Sequence, residues 1–266
     1  MKKSALFCFC LLTLFSLVSC GGSSQPPQII NAPPPLNAMV DLFGTSAIAL
    51  TNVLYLAGGI QTDPAGHMTA TLGASTDTRI SSCIPVGSSA TFTGTRDSSG
   101  GWTITGTPIA GQVISITAVA GSNGALSNAS YTITGGCLNG DHGRITMFNL
   151  LSGTFTGSFF AGGAPVAATL TFGAPGLPQA NSNIPLTLTS AFTNTAGCGG
   201  FTSATVQAAN QSGEAAGVTL LTNTGDTLDF QGTTNDGSAV MFSGGFTVSG
   251  TGPCAGAHGG FTFNKQ

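Results

Sequence analysis

Two short segments each combine a cysteine with a histidine, residue types that bind zinc or take part in catalysis. YTITGGCLNGDHGRITM carries Cys137 and His142, and FTVSGTGPCAGAHGGFTF carries Cys254 and His258. Four residues separate the first pair and three separate the second. Because the spacing differs and no Cys-x-x-Cys half accompanies either pair, zinc coordination is disfavoured. We expect no metal or other cofactor, with His142 and His258 as the candidate ligands if a metal is bound.

Neighbouring acid and imidazole side chains could instead transfer protons. Asp141 precedes His142, but the second segment has Ala257 in place of the acid. Asp226 and Asp229 are three residues apart on a predicted strand, so they point to opposite faces and form no carboxylate pair. The sequence also lacks a Gly-x-Ser-x-Gly nucleophile turn. We therefore predict a protein that is not an enzyme; the alternative is a metal-dependent or hydrolytic enzyme using Asp141 and His142.

The two segments end the copies of an internal repeat. Each cysteine follows an aromatic–Thr–β-branched–hydroxyl–Gly sequence, and another cysteine lies 54 residues before Cys137 and 56 residues before Cys254. These earlier cysteines are Cys83 and Cys198. Four cysteines permit three pairings. Duplication favours pairing within each copy, as Cys83–Cys137 and Cys198–Cys254.

Apolar and hydroxylated residues alternate along both copies, which we place at 39–149 and 150–266. In GWTITG, Trp102 and Ile104 alternate with threonines, and PLTLTS repeats the pattern with leucines. This period of two is typical of antiparallel strands that bury one face. Turn signals such as SNG and NDG separate the runs. The sequence predicts an all-β protein without helices.

The runs number about eight in each copy, which predicts two tandem antiparallel meander units. Eight strands suffice to close a small barrel, and closure removes exposed strand edges; a β-sandwich is the alternative. The pattern looks like that of the avidin and lipocalin class of barrels, although the Gly-x-Trp opening strand of lipocalins is absent. Both predicted disulfides would join the third and seventh connections of a meander, which lie at the same end of the barrel.

A barrel interior is also where a ligand could bind. Five aromatic side chains are the candidates: Trp102, Phe92, Phe155, Phe230 and Phe246. We expect them to fill the core, as large apolar residues usually do. The alternative is a carrier of a small apolar ligand inside a barrel.

The amino-terminal residues have the pattern of an export signal. Lys2 and Lys3 precede an apolar run from Leu6 to Val18, and the run ends in LVSC followed by GGSS. This sequence resembles the lipobox of bacterial lipoproteins. The resemblance implies that residues 1–19 are a signal peptide and that Cys20 receives the lipid, including an acyl chain such as palmitate on the new amino terminus.

A spacer then separates the lipid from the first unit. Residues 20–38 are rich in proline, glycine and serine, a composition typical of an extended tether. Gly21 after the cysteine resembles the outer-membrane class of lipoproteins, which implies a protein anchored there and facing the periplasm or the surface. The lipid would contact the membrane, and we expect the cysteines beyond it to be oxidised.

Composition excludes nucleic acid as a partner. Charged residues make up only 6% of the chain and hydrophobic residues 41%. Four cations follow the leader, too few to follow a phosphate backbone: Arg79, Arg96, Arg144 and Lys265. The sequence predicts a lipid-anchored envelope lipoprotein with a non-catalytic binding or structural role, and it identifies neither a protein nor a small-molecule partner.

Overall fold

Sixteen antiparallel strands form two closed barrels of eight strands each. The computed structural model describes residues 36–120, 126–161, 163–192, 201–234 and 238–266. In these ranges there is no α-helix, only 3-10 turns at Gly136–Leu138 and Ala180–Ser182. The predicted tandem meander barrels are confirmed, and the sandwich alternative is wrong because both sheets close.

Barrel one is a continuous meander in which each strand pairs with the next and β8 returns to β1. Val40 pairs with Asn149 where the barrel closes. The strands are β1 Ala38–Ser46, β2 Asn52–Thr62, β3 His67–Thr76, β4 Ser88–Arg96, β5 Gly101–Ile109, β6 Gln112–Ala120, β7 Leu126–Thr134 and β8 His142–Asn149.

Barrel two repeats this topology after a three-residue linker, 150–152. It closes between β16 and β9, where Phe261 pairs with Phe159. The strands are β9 Gly153–Ala161, β10 Ala164–Pro175, β11 Ile184–Phe192, β12 Ala204–Ser212, β13 Ala215–Thr222, β14 Thr227–Thr233, β15 Met241–Ser249 and β16 His258–Lys265.

The alternation seen in the sequence separates the inside of each barrel from its surface. Along β5, Trp102 and Ile104 are buried, while Thr103 and Thr105, which alternate with them, are exposed. The hydroxyls pair across strands on the outside: Thr105 lies 3.3 Å from Ser115, oxygen to oxygen, and Thr117 lies 2.9 Å from Ser130. Hydroxyl pairs therefore cover a surface that carries few charges.

One end of barrel two packs against the outer surface of barrel one. Met39 and Ala57, which point outward from β1 and β2, join the apolar cluster of barrel two. Ser75 of β3 donates a hydrogen bond to the carbonyl of Gln179 at 3.3 Å. The outer face of β1 to β3 thus serves as the contact surface for the second barrel, and on β1 and β2 it carries apolar side chains such as Met39 and Ala57.

The linker between the barrels is held by a buried glutamine of barrel two. Gln211 accepts a hydrogen bond from the Leu151 amide at 2.9 Å and donates to the Asn149 carbonyl at 3.0 Å. Its amide nitrogen also donates to the Gly213 carbonyl at 2.7 Å. A side chain that bonds both ends of a short linker fixes the approach of the two barrels.

Candidate functional site

Four connections form one end of barrel one, which we call the disulfide mouth. Cys83 and Cys137 are bonded there, with Cα atoms 5.7 Å apart, so that the third connection is joined to the seventh. This is the bridge expected from duplication and meander topology. The mouth consists of residues 47–51, 77–87, 110–111 and 135–141.

Gln112 supports this bridge from the barrel wall. Its side chain is 2% exposed and donates to the Cys83 carbonyl at 3.2 Å, with the Cys137 sulfur 3.9 Å away. Gly136 has a φ of 62°, and a Cβ at that position would lie 2.5 Å from the Gln112 amide nitrogen. Glycine is therefore required beside the cysteine, both for the backbone conformation and for the glutamine.

A buried hydrogen-bond network closes the mouth from within. The Ser46 hydroxyl donates to Asp141 Oδ1 at 2.6 Å, and the Tyr131 hydroxyl donates to Asp141 Oδ2 at 2.9 Å. Burial, together with the hydrogen bond to Asp141, raises the pKa of the Tyr131 phenol above its usual value. Each carboxylate oxygen of Asp141 thus has a hydroxyl donor, the arrangement that allows an acid to be buried.

The network also explains why Asp141 and His142, the acid and imidazole of the enzymatic alternative, do not form a pair. Both oxygens of Asp141 are bonded inside the barrel, whereas His142 is exposed and its Nδ1 donates to the Gly140 carbonyl at 3.0 Å. His258 makes the equivalent contact with the Gly256 carbonyl at 3.1 Å. Both imidazoles therefore bond loop carbonyls, and neither forms an ion pair with an acid among the described residues.

No metal cluster is found in the part of the chain that the structure describes. Within the described ranges, no three His, Cys, Asp or Glu side chains come close enough together to hold an ion. His142 lies at the disulfide mouth of barrel one and His258 in barrel two, so these two candidate ligands belong to separate barrels.

An exposed apolar tip at the disulfide mouth was missed by the sequence analysis. Ile48 is 67% exposed and Leu50 is 82% exposed, and both lie in the first connection. Leu50 has a φ of 56°, a left-handed conformation that costs leucine roughly 1–2 kcal/mol. Its amide donates to the Ser46 carbonyl at 2.9 Å. The only signal in the sequence is the apolar run AIAL inside a turn.

Ser46 connects this tip to the buried network. The amides of Ile48 and Ala49 donate to the Ser46 hydroxyl oxygen at 3.1 and 3.0 Å. The same oxygen donates its proton to Asp141. The exposed loop is therefore fixed to the barrel interior by one side chain, and we refer to residues 47–51 as the apolar tip.

At the corresponding end of barrel two, a buried aspartate accepts hydrogen bonds from the loop that carries Cys254. Asp226 is fully buried and accepts hydrogen bonds from the amides of Gly252, at 2.7 Å, and Cys254, at 3.3 Å. Cys254 is disulfide-bonded. Its predicted partner, Cys198, lies outside the described residues, so the pairing remains a prediction.

The five aromatic ligand candidates do not form one site. Phe92 and Trp102 lie in the core of barrel one, and Phe155, Phe230 and Phe246 lie in the core of barrel two. Each is packed by core neighbours. For example, the Phe230 ring centroid lies 5.2 Å from that of Phe159 and 5.1 Å from that of Phe261.

No known protein family, curated protein or solved structure matches this chain. Among the described residues, no helix has the length and apolar character needed to cross a membrane. The predicted lipidation site, Cys20, lies outside the described residues. The resemblance to bacterial lipoproteins therefore rests on the leader alone.

Proposed function

We propose that this protein is a lipid-anchored envelope protein with a non-catalytic role, which uses the apolar tip of barrel one to bind a partner protein. The strongest support is the exposure of Ile48 and Leu50 on a rigid loop. Soluble surfaces expose such residues singly, and a pair presented together on a loop is typical of an interaction site. The partner would offer an apolar pocket, because residues 47–51 carry no charge.

Rigidity is the property that makes the tip suitable for binding. The Ser46 hydroxyl accepts from two tip amides and is itself bonded to the buried Asp141. A loop that is already ordered loses little conformational entropy when it binds. Leucine and isoleucine held in this way can insert into a pocket as anchor side chains.

The barrels themselves would act as a scaffold. Their interiors are packed with apolar side chains, which leaves the five aromatic residues as core and disfavours the carrier alternative. Asp141 is occupied by Ser46 and Tyr131, which disfavours the enzymatic alternative. Lipidation at Cys20 and the tether through residue 38 would hold this scaffold at the outer membrane.

Anchoring is tested by replacing the acylated residue. Cys20→Ala should release the protein from the membrane fraction, and mass spectrometry of the wild-type amino terminus should show a lipid-modified Cys20. An unmodified Cys20, or unchanged membrane retention of Cys20→Ala, would remove the anchor from the proposal.

The tip is tested by photo-crosslinking in cells. A photoreactive amino acid at position 50 should give one dominant cross-linked protein, the partner. Once that partner is purified, the Ile48→Ser variant of this protein should bind it more weakly than the wild-type protein does. Val240 of barrel two, 52% exposed, provides the matched control position. Equal cross-linking at positions 50 and 240 would contradict a specific role for the tip.

A further inference from the structure

The two cysteines of the barrel-one bridge differ in their exposure. Cys83 is 9% exposed, whereas Cys137 is an exposed residue in the 3-10 turn Gly136–Leu138. A disulfide is opened by a thiolate that attacks one of its two sulfurs, and access decides which sulfur is attacked. The accessible end of this bridge is therefore Cys137.

The surface around Cys137 is lined by glycines. Gly135, Gly136 and Gly140 flank it in the seventh connection, and Gly111 of the fifth connection lies against Gly135. A Cβ added at Gly111 or Gly140 would meet no other atom within 4 Å. A protein that approaches this part of the disulfide mouth would therefore find open space beside the bridge.

The charges of the disulfide mouth do not oppose an incoming thiolate. All residues of the mouth are described, and its only charged residues are Asp77, Arg79 and Asp141. Asp77 is paired with Arg79, and both oxygens of Asp141 are bonded inside the barrel. The Gln112 amide nitrogen lies 3.9 Å from Cys137 Sγ, and a donor at that distance stabilises a thiolate on that sulfur.

Both connections joined by the bridge also have hydrogen bonds of their own. In the seventh connection, the Gly135 amide donates to Asn139 Oδ1 at 2.8 Å. In the third connection, the Cys83 amide donates to the Ile80 carbonyl at 2.8 Å. Because these bonds do not involve sulfur, both cysteines would stay on ordered loops after the bridge opens, and the barrel would stay closed.

We propose that Cys137 is a thiol–disulfide exchange site, at which a dithiol oxidoreductase with a Cys-x-x-Cys pair opens the Cys83–Cys137 bridge in the folded protein. The first thiolate of the oxidoreductase bonds to Cys137 Sγ, the bond between Cys137 and Cys83 breaks, and Cys83 leaves as a thiolate that takes up a proton. This site goes beyond the proposed role of the apolar tip and does not depend on it.

The second thiolate of the oxidoreductase completes the exchange. It attacks the oxidoreductase sulfur of the mixed disulfide and releases Cys137 as a thiolate, which is protonated in turn. The oxidoreductase is thereby oxidised to its own disulfide, and the bridge is reduced to two thiols. The reverse sequence re-forms the bridge.

A thioredoxin that lacks its second cysteine tests the site, because it cannot resolve the mixed disulfide. After incubation with the oxidised wild-type protein in native buffer, peptide mapping should find it attached to Cys137, with Cys83 free for alkylation. Trp102 is the only tryptophan and lies in the core of barrel one, so its fluorescence reports whether the barrel stays folded. That fluorescence should not change during the reaction.

Three results of this trapping experiment would overturn the proposal. They are attachment at Cys83 in place of Cys137, no attachment to either cysteine, and attachment only when the Trp102 fluorescence shows unfolding. A reaction through the unfolded state would also accelerate steeply in low concentrations of urea, whereas exchange in the folded state should not.

Single cysteine variants compare the two sulfurs separately and serve as controls for each other. Iodoacetamide should modify Cys137 in Cys83→Ser about tenfold or more faster than it modifies Cys83 in Cys137→Ser, because thiol reactivity follows exposure. In concentrated urea the two rates should converge. Equal rates in native buffer, in variants whose Trp102 fluorescence matches the wild type, would contradict the assignment of Cys137 as the attacked residue.

Discussion

The carboxylate of Asp41 in barrel one accepts a hydrogen bond of 2.9 Å from the backbone amide of Gly213 in barrel two. The two residues are 172 positions apart, and Asp41 is fully buried where the barrels meet. Its other oxygen, Oδ1, has no hydrogen-bond partner among the described residues. Burial raises the pKa of Asp41 to about 7, although the Gly213 amide opposes that shift.

Ionisation of Asp41 should make the stability of the protein depend on pH. The unfolded carboxyl has a pKa of 3.8, so between about pH 4 and pH 7 only the unfolded state loses this proton. The contribution of Asp41 to the free energy of unfolding is therefore fully present below pH 4. It falls by on the order of 4 kcal/mol as the pH rises to 7. Urea denaturation from pH 4 to pH 8 measures the change.

Asp41→Asn is the matched variant, because its amide oxygen can still accept from Gly213 but cannot ionise. The free energy of unfolding of the wild type minus that of Asp41→Asn should decline from about pH 4 to pH 7 and become constant above that range. Subtraction removes the opposite contribution of exposed acids such as Asp63, whose pKa is lowered by His67. A flat difference would show that Asp41 does not titrate in this range.

Loss of the disulfide should destabilise barrel one. Replacing both Cys83 and Cys137 by serine opens a loop of 54 residues, for which the chain-entropy estimate is about 4 kcal/mol. The measurement is the free energy of unfolding from urea titration. The double variant Ser81→Ala with Ser82→Ala, in the same connection, is the control. A peptide map that joins Cys83 to Cys198 would contradict the assignment of one bridge to each barrel.

The buried network should control the order of the apolar tip. Ser46→Ala removes the acceptor for the Ile48 and Ala49 amides, so both should exchange hydrogen faster. Tyr131→Phe leaves one oxygen of Asp141 without its donor and should cost about 1–3 kcal/mol of stability.

Thr132→Val provides the control for these two variants, because Thr132 lies on the same strand as Tyr131 and is exposed. Hydrogen exchange and denaturation should be close to wild type in this variant. Unchanged exchange of the tip amides in Ser46→Ala would mean that the loop is ordered by other contacts.

The two exposed histidines should be dispensable. His142→Ala combined with His258→Ala removes one hydrogen bond to a loop carbonyl in each barrel, a loss of about 1 kcal/mol each. Circular dichroism should be unchanged, and elemental analysis should give the same metal content as wild type. Loss of a bound metal from the double variant would favour the enzymatic alternative.

Truncation of a core phenylalanine should be severe if barrel two is filled. Phe230 is fully buried among aromatic neighbours, including Phe159 and Phe261. Phe230→Ala should destabilise the protein by about 3–5 kcal/mol. Leu221→Ala, at a residue 39% exposed on the neighbouring strand, is the control. A small effect at Phe230, comparable to that at Leu221, would indicate that the interior has room for a ligand.

The sequence predicted the barrels because their signals are local and repeated. Alternation along each strand identifies the buried face, as at Trp102 and Ile104, and the duplicated cysteine spacing indicates a bridge within each copy. These signals require only neighbouring residues or the comparison of two copies.

The contacts between distant residues could not be predicted in this way. Phe43 and Asp41 alternate with Val40 and Leu42, yet both faces of the strand are buried because barrel two covers the outer one. The network joins Ser46 to Asp141 across 95 residues. Its partners are ordinary polar residues whose proximity depends on barrel closure.

The contact between the barrels joins the end of one to the side of the other, so it uses different surfaces on two related modules. Such head-to-side contacts can continue without limit if every module offers the same side. Here β1 presents Met39 and Phe43, whereas the outer face of β9 presents Thr154 and Thr156. Thr154 and Thr156 therefore do not reproduce the apolar surface of barrel one, so the two related modules are not interchangeable in this contact.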